Sequence, residues 1–248
     1  MKTEPKKATP KSKSSDSYHH GDLRTALLDA AVRLLKKRGP EEISLRELAR
    51  IAGVSQAAPY RHFRDKEELL AQVARQGFTI MSEQMKETIL KCRANALEMF
   101  YQCGIAYFRM GSNHPQHFKL MFSAGVRPDE RHPELLIAAS QTLALLRDMV
   151  LFCQRHKVLG EGDPMHRALH CWSVVHGFTT LYADGRLSCV GVTADNAEKA
   201  LMTLMSQQLI GAVKSLDKSD FGFTIFDTEE SRRYLQGVKS IPIITESF

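Results

Sequence analysis

The stretch Val54–Phe63, VSQAAPYRHF, decides how the first third of the chain is read. The text on either side has a helical pattern, yet Pro59 stands in the middle. Proline has no amide hydrogen to donate, crowds the carbonyl four residues back and disfavours helix at the residue before it. If Ser55 or Gln56 caps a helix here, Pro59 falls in the first turn, where amides need little or no partner inside the helix. The expectation is a short helix with a loosened start. Pro59 would point inward, leaving Gln56, Ala57 and Ala58 outward.

Working upstream, Ala52-Gly-Val-Ser55 reads as a tight turn, with Gly53 free to take a left-handed backbone. Before it, Ser44-Leu-Arg-Glu47 has the spacing of a capping box opening a short helix, with Leu45, Leu48, Ala49 and Ile51 as its apolar side. Further back, Leu23, Leu27, Ala30, Ala31, Leu34 and Leu35 recur on one face of a helix that Gly39-Pro40 ends. Downstream, Asp65-Lys-Glu-Glu68 opens a long helix to about Glu87. Three short helices, the second and third joined by a glycine turn, make a helix-turn-helix candidate, whose third helix enters the DNA major groove.

The charge agrees. Residues 1–80 carry 16 Lys and Arg against 10 Asp and Glu, whereas residues 81–248 carry 18 of each. The whole net charge of +6 therefore lies in the first third, as expected of an end that meets a polyanion. The segment 1–17 is Lys-, Ser- and Pro-rich without apolar periodicity and is expected to be a disordered basic arm.

The remainder reads as helices near 93–110, 115–123, 132–157, 164–183 and 194–215, with breaks at Gly111-Ser-Asn, Gly125 to Pro133, Gly160 to Pro164 and Asp184 to Thr193. After residue 216, alternating Phe221, Phe223 and Ile225 and the run Ser240–Thr245 suggest an irregular or short-β extension over 216–248. The fold class is all-α: a helix-turn-helix domain over 18–68, then a helical domain over 69–215.

Residues 22–70 resemble the DNA-binding domain of the TetR family of bacterial transcription regulators. The resemblance rests on Leu28-Asp-Ala-Ala31, Gly39, Ile43-Ser-Leu-Arg-Glu-Leu-Ala49, Ala52-Gly-Val-Ser55, Tyr60-Arg-His-Phe63 and Lys66-Glu-Glu-Leu69. Trp172-Ser-Val-Val-His-Gly177 is similar to the Trp–His–Gly signature of one subgroup. The resemblance implies a DNA-binding regulator, most simply a repressor released by a small molecule, acting as a cytoplasmic homodimer on a pseudo-palindromic operator in double-stranded DNA. The dimer would form through helices 164–183 and 194–215.

Candidate DNA contacts follow residue by residue. Gln56 has the donor and acceptor that match an adenine edge, and the methyls of Ala57 and Ala58 suit a thymine methyl. Arg61 suits guanine or phosphate. Tyr60, His62 and Lys66 match family positions that hold phosphates. Ser44 and Arg46, with Ser55 at the other helix start, suit phosphates at helix N-termini. Phe63 and Leu69 are expected in the core. For the small molecule, the candidate lining is Phe100, Tyr107, Phe108, Phe118, Phe122 and Phe152, with Trp172 and His176 four residues apart on one helix face.

Other classes find little support. No G-x-S-x-G, Walker loop, dinucleotide fingerprint or H-E-x-x-H occurs, so neither an enzyme nor a cofactor is expected. The five cysteines include no C-x-x-C pair, which fits reduced thiols. His166 with His170 and His114 with His117 have metal-ligand spacing but no acidic or cysteine companions, so no metal is expected. No apolar run approaches the roughly 20 residues of a membrane span, and none is expected. The alternative, a helix-turn-helix that binds a protein instead of DNA, is disfavoured by the placement of the charge.

Overall fold

A computed structural model describes residues 20–209, which contain eight α-helices and no sheet. The expected arm over 1–17, the extension over 216–248 and the end of the last helix over 210–215 lie outside the described residues. The chain divides into two compact units after Arg64.

In the first unit, α1 (His20–Leu35) buries Leu23, Leu27, Leu28, Ala30, Ala31, Leu34 and Leu35, the face expected from the spacing, with Leu28 added. A 3-10 turn at Pro40–Glu42 leads to α2 (Leu45–Ile51). Ser44 is the N-cap: its Oγ accepts from the Glu47 amide at 3.2 Å. Only half of the capping box forms, because the Glu47 carboxylate takes Arg38 Nη1 at 3.1 Å. Leu45, Leu48 and Ala49 are buried, whereas Ile51 is 42 % exposed. The apolar side of α2 is therefore narrower than expected, since Ile51 projects away from the line of Leu45, Leu48 and Ala49.

The turn after α2 works through Gly53. Its φ of +67° is left-handed, and its amide bonds Arg50 O at 3.3 Å while Val54 N bonds Ala49 O at 3.0 Å. This pair of bonds is a Schellman ending, which satisfies two orphan carbonyls of the helix.

The second unit has six helices. α3 (Lys66–Lys91) is capped by Asp65, whose Oδ1 accepts from Glu68 N at 2.8 Å. α4 (Ala96–Asn113) is capped by Asn95, and α7 (Pro164–Ala183) by Asp163. α5 (Pro115–Met121), α6 (Pro133–Arg155) and α7 each begin on proline, where the missing amide hydrogen costs nothing. α8 (Ala197–Ser206) is last.

α4 is the centre: α3, α5, α6, α7 and α8 all pack on it. Gly111 does not break α4, as its sequence context implied. Instead it admits a neighbour, since a Cβ there would collide with the Thr179 methyl and lie 3.2 Å from a Phe118 ring carbon. Gly104 plays the same part against the end of Met205.

α6 also departs from expectation. By length and composition it is apolar enough to cross a membrane. Leu135, Met149, Val150 and Cys153 are buried, and Leu136, Ala139, Leu143 and Leu146 line an internal cavity, whereas Ile137 is 55 % exposed. Polar groups interrupt it, including the Arg147–Asp148 pair at 2.6 Å.

Because Gly53 needs a left-handed backbone that costs an L-residue roughly 1–2 kcal/mol, Gly53→Ala should destabilise the first unit by about that amount. Amide hydrogen exchange of α2 is the suitable readout, because the single tryptophan, Trp172, lies in the other unit. Unchanged protection of α2 would contradict the assignment.

Candidate nucleic-acid interface and ligand cavity

The reading segment is not the short α-helix expected. Residues Pro59–Arg61 form one 3-10 turn, preceded by turns over 56–58. The proline explains it. In an α-helix Ser55 O would accept from residue 59, which has no N–H. Ser55 O accepts from Ala58 N instead, at 3.0 Å, and the tighter i+3 pattern continues with Arg61 N on Ala58 O at 3.2 Å and His62 N on Pro59 O at 2.9 Å. Ser55 thus contributes its carbonyl, not a side-chain cap.

Pro59 is buried, as expected, and Phe63 is 1 % exposed. The Arg24 guanidinium lies 5.5 Å from the Phe63 ring centroid, which fastens the segment to α1. Over this anchored pair, Ser55, Gln56, Ala57, Tyr60 and Arg61 are exposed, and Ala58 and His62 are half-buried. Tyr60 is 50 % exposed, too much for a core residue. Ser44 and Arg46 are exposed at the start of α2. The Ser44 hydroxyl oxygen accepts the Glu47 amide, so its hydrogen stays available to a phosphate. Lys66 is the first residue of α3 and belongs to the second unit. Leu69 is fully buried.

The second unit encloses a cavity of about 460 Å³, within the range of small-molecule sites. Phe100, Tyr107, Phe122 and Trp172 line it, as do Met81, Met85, Met121, Met149 and Met205. Sequence reasoning missed a whole wall: Leu136, Ala139, Leu143, Leu146 and Met149 of α6. Their spacing of three and four residues was the available signal, on a helix more apolar than a single packed face requires.

Four expected lining residues fall elsewhere. Phe108 packs edge-on against Tyr182 at 5.0 Å and beside Phe178 at 5.7 Å, because it is one position round α4 from Tyr107. Phe152 lies one turn past the last lining residue of α6 and stacks on His156 at 4.1 Å. Phe118 and His176 form a layer behind the wall: Phe118 meets Phe122 at 5.1 Å, and His176 meets Phe122 at 4.5 Å.

His176 belongs to a chain of hydrogen bonds. Trp172 Nε1–H donates to Tyr107 Oη at 2.9 Å, and Tyr107 Oη lies 2.8 Å from His176 Nδ1. The indole can only donate, so the tyrosine oxygen accepts from it and shares one hydrogen with Nδ1. The other ring nitrogen, Nε2, lies 3.5 Å from Thr180 Oγ1. Burial holds the His176 pKa below its ordinary value and raises that of Tyr107. Trp172 and His176 therefore join α7 to α4 through one phenol.

Two cysteines, Cys103 and Cys171, line the cavity. Burial pushes their thiols up to about 12 and about 11, so they are protonated and poorly nucleophilic. His166 and His170 are exposed, and the rings of His114 and His117 meet edge-on at 5.9 Å. Among the described residues no three His, Cys, Asp or Glu side chains gather as a metal would need.

Two family models match the chain: "Bacterial regulatory proteins, tetR family" over residues 27–73, and "Tetracyclin repressor-like, C-terminal domain" over residues 100–208. The HTH-type transcriptional regulator AcrR of Shigella flexneri is 40 % identical over 52 residues. That match covers 21 % of this chain and spans 24 % of the relative's length. A structure from Rhodococcus sp. RHA1, described as a protein with unknown function, is 31 % identical with a TM-score of 0.66, covering 78 % of this chain and 99 % of that one. AibR, solved with isovaleryl coenzyme A and operator DNA, shares the fold at 18 % identity and a TM-score of 0.57, covering 75 % of this chain and 97 % of that one. With one family's models matching both the turn unit and the cavity-bearing unit, the chain belongs to the TetR family, and it is a DNA-binding transcriptional regulator.

Proposed function

We propose that the protein is a cytoplasmic, homodimeric repressor that leaves its operator when a small molecule fills the cavity of the second unit. The observation that carries this reading is the strip Ser55–Arg61, anchored from below by buried Pro59 and Phe63 while Gln56, Ala57, Tyr60 and Arg61 face outward. Gln56 and Ala57 read base edges; Tyr60, His62, Lys66, Ser44 and Arg46 hold phosphates. Arg61 meets guanine or phosphate. Such proteins act by binding, and the cavity offers no catalytic set: its tyrosine hydroxyl is already committed to Trp172 and His176.

The cavity is bounded on one side by Phe78, Met81 and Met85 of α3, and α3 follows the turn unit directly in the chain. A ligand that favours one setting of α3 shifts the balance between DNA-competent and DNA-incompetent dimers by its difference in affinity. AibR, which has this fold, was solved with both an acyl-CoA and operator DNA. Trp172, His176 and Gly177 are the basis for placing the chain in the Trp–His–Gly subgroup.

The dimer forms through α7 and α8. Along α7, Leu169 is 40 % and Leu181 48 % exposed, and a Cβ at Gly177 would meet nothing within 4 Å. With Ser173 these residues are four apart, an open stripe matched to a second copy. The two reading strips then face half-sites one or more turns apart, about 34–36 Å per turn.

A mobility-shift titration on the DNA upstream of its own gene, at two salt concentrations, tests the reading. Gln56→Ala should cost about 1–3 kcal/mol on the operator alone. Lys66→Ala should weaken binding to all sequences about equally and reduce the salt slope by about one. Equal effects of both on random DNA would contradict the roles, and absence of binding at either salt would favour a protein partner. In sedimentation, Leu169→Lys with Leu181→Lys should give a helical monomer that no longer shifts the operator; a persisting dimer would refute the interface.

A further inference from the structure

The polar inventory of the cavity defines what it accepts. Of the four lining hydroxyls, Ser140 is exposed and Ser123 bonds Leu120 O at 3.2 Å, and the other two are already committed. Tyr107 serves Trp172 and His176, and Thr142 Oγ1 bonds Ser82 Oγ at 2.6 Å and Ala138 O at 2.9 Å. The thiols of Cys103 and Cys171 stay neutral. A ligand atom seated there finds carbon and sulfur, so a polar group would be stranded at full desolvation cost. The deep part therefore takes an apolar body.

The mouth differs. Arg127 and Pro128 line the cavity and are exposed, which marks where it opens. Arg127 is the one charged residue of the lining. Its guanidinium has no ion-pair partner among the described residues. The contrast with its neighbour is direct: Arg131 pairs with Asp129 at 2.9 Å and Glu67 at 3.1 Å. The acidic group closest in sequence, Asp129, is thus taken by Arg131, and Arg127 is left to whatever enters. A guanidinium offers a fixed fork of donors that matches a carboxylate with two parallel hydrogen bonds.

We infer that the effector is an amphipathic monoanion, with a hydrocarbon body in the cavity and its carboxylate on Arg127 at the mouth. The inference rests on the effector reading of this cavity and adds the ligand's chemical class and the residue that selects it. Because Arg127 lies on the segment between α5 and α6 that also carries the Arg131–Glu67 pair to α3, the charged end of the ligand acts where that segment meets α3.

The test uses the full-length protein without DNA. Trp172 is the sole tryptophan and lines the cavity, so its emission reports occupancy. Decanoate, decanol and decyltrimethylammonium share one chain length and differ in head charge. Decanoate should bind about tenfold tighter than decanol, and the cation should bind weakest. Arg127→Gln should erase the preference for decanoate and leave the decanol affinity unchanged. Ala139→Phe, which fills the α6 wall, should abolish the Trp172 response to all three while far-ultraviolet circular dichroism stays native. Equal affinities in the wild type, preference for the cation, a preference surviving in Arg127→Gln, or no response to any probe would overturn the inference. Since no DNA is present, these outcomes are separate from the mobility-shift test of the repressor reading.

Discussion

The need to bury α4 governs the second unit. Ala96, Met99, Phe100, Cys103, Gly104, Ile105, Tyr107, Phe108, Met110 and Gly111 are all buried, and they wrap around most of the helix. Exposing such a surface is unfavourable at about 25 cal/mol per Å², so the helix is stable only when others enclose it. Five do. Two of the approaches are made over glycine: Gly111 under the short, branched Thr179 with the Phe118 ring beside it, and Gly104 under the flexible end of Met205. On one remaining side the enclosure is incomplete, and the cavity lies there, with Phe100, Cys103, Gly104 and Tyr107 as its α4 wall. The binding space is thus a consequence of how a helix apolar over most of its surface is covered, not an addition to the fold.

The same wall is stiffened by the single polar chain that crosses it. Trp172 and His176 of α7 reach the Tyr107 hydroxyl of α4, and the rings of Phe118 and Phe122 close around them. Both partners meet on one buried phenol, which ties the orientations of the three rings together. The sulfur-rich opposite side, from Met81 and Met85 to Met149, is flexible and polarizable. One wall holds its shape and the other adapts, a combination suited to recognising a ligand whose body is apolar and whose end is charged.

Much of this was legible in the sequence, and the misses have physical causes. The face of α1, the Ser44 and Asp65 caps, the glycine turn and the bounds of α7 follow from local rules that tertiary contacts did not override. Pro59 was legible as a buried element, but its effect was underweighted: without its amide hydrogen, Ser55 O turned to Ala58 N, and Pro59–Arg61 tightened to one 3-10 turn before Phe63 N returns to an i+4 bond on Pro59 O. Gly111 was misread as a break because a sequence cannot show the Thr179 methyl that needs the space. The lining was half legible for a similar reason. Aromatic content identifies α4, but whether Phe108 faces the void or Tyr182 depends on one position of helix rotation. Arg127, placed in a loop with no periodicity, carried no sequence signal at all.

The central claim is that the exposed strip over Pro59 reads DNA as half of a two-fold pair. DNase I footprinting of the region upstream of the gene measures this most directly. The account predicts one salt-sensitive protected window containing two inverted half-sites, their centres an integral number of turns of about 34–36 Å apart. Protection that is absent at low salt, or that spreads uniformly along the DNA with no paired half-sites, would contradict it.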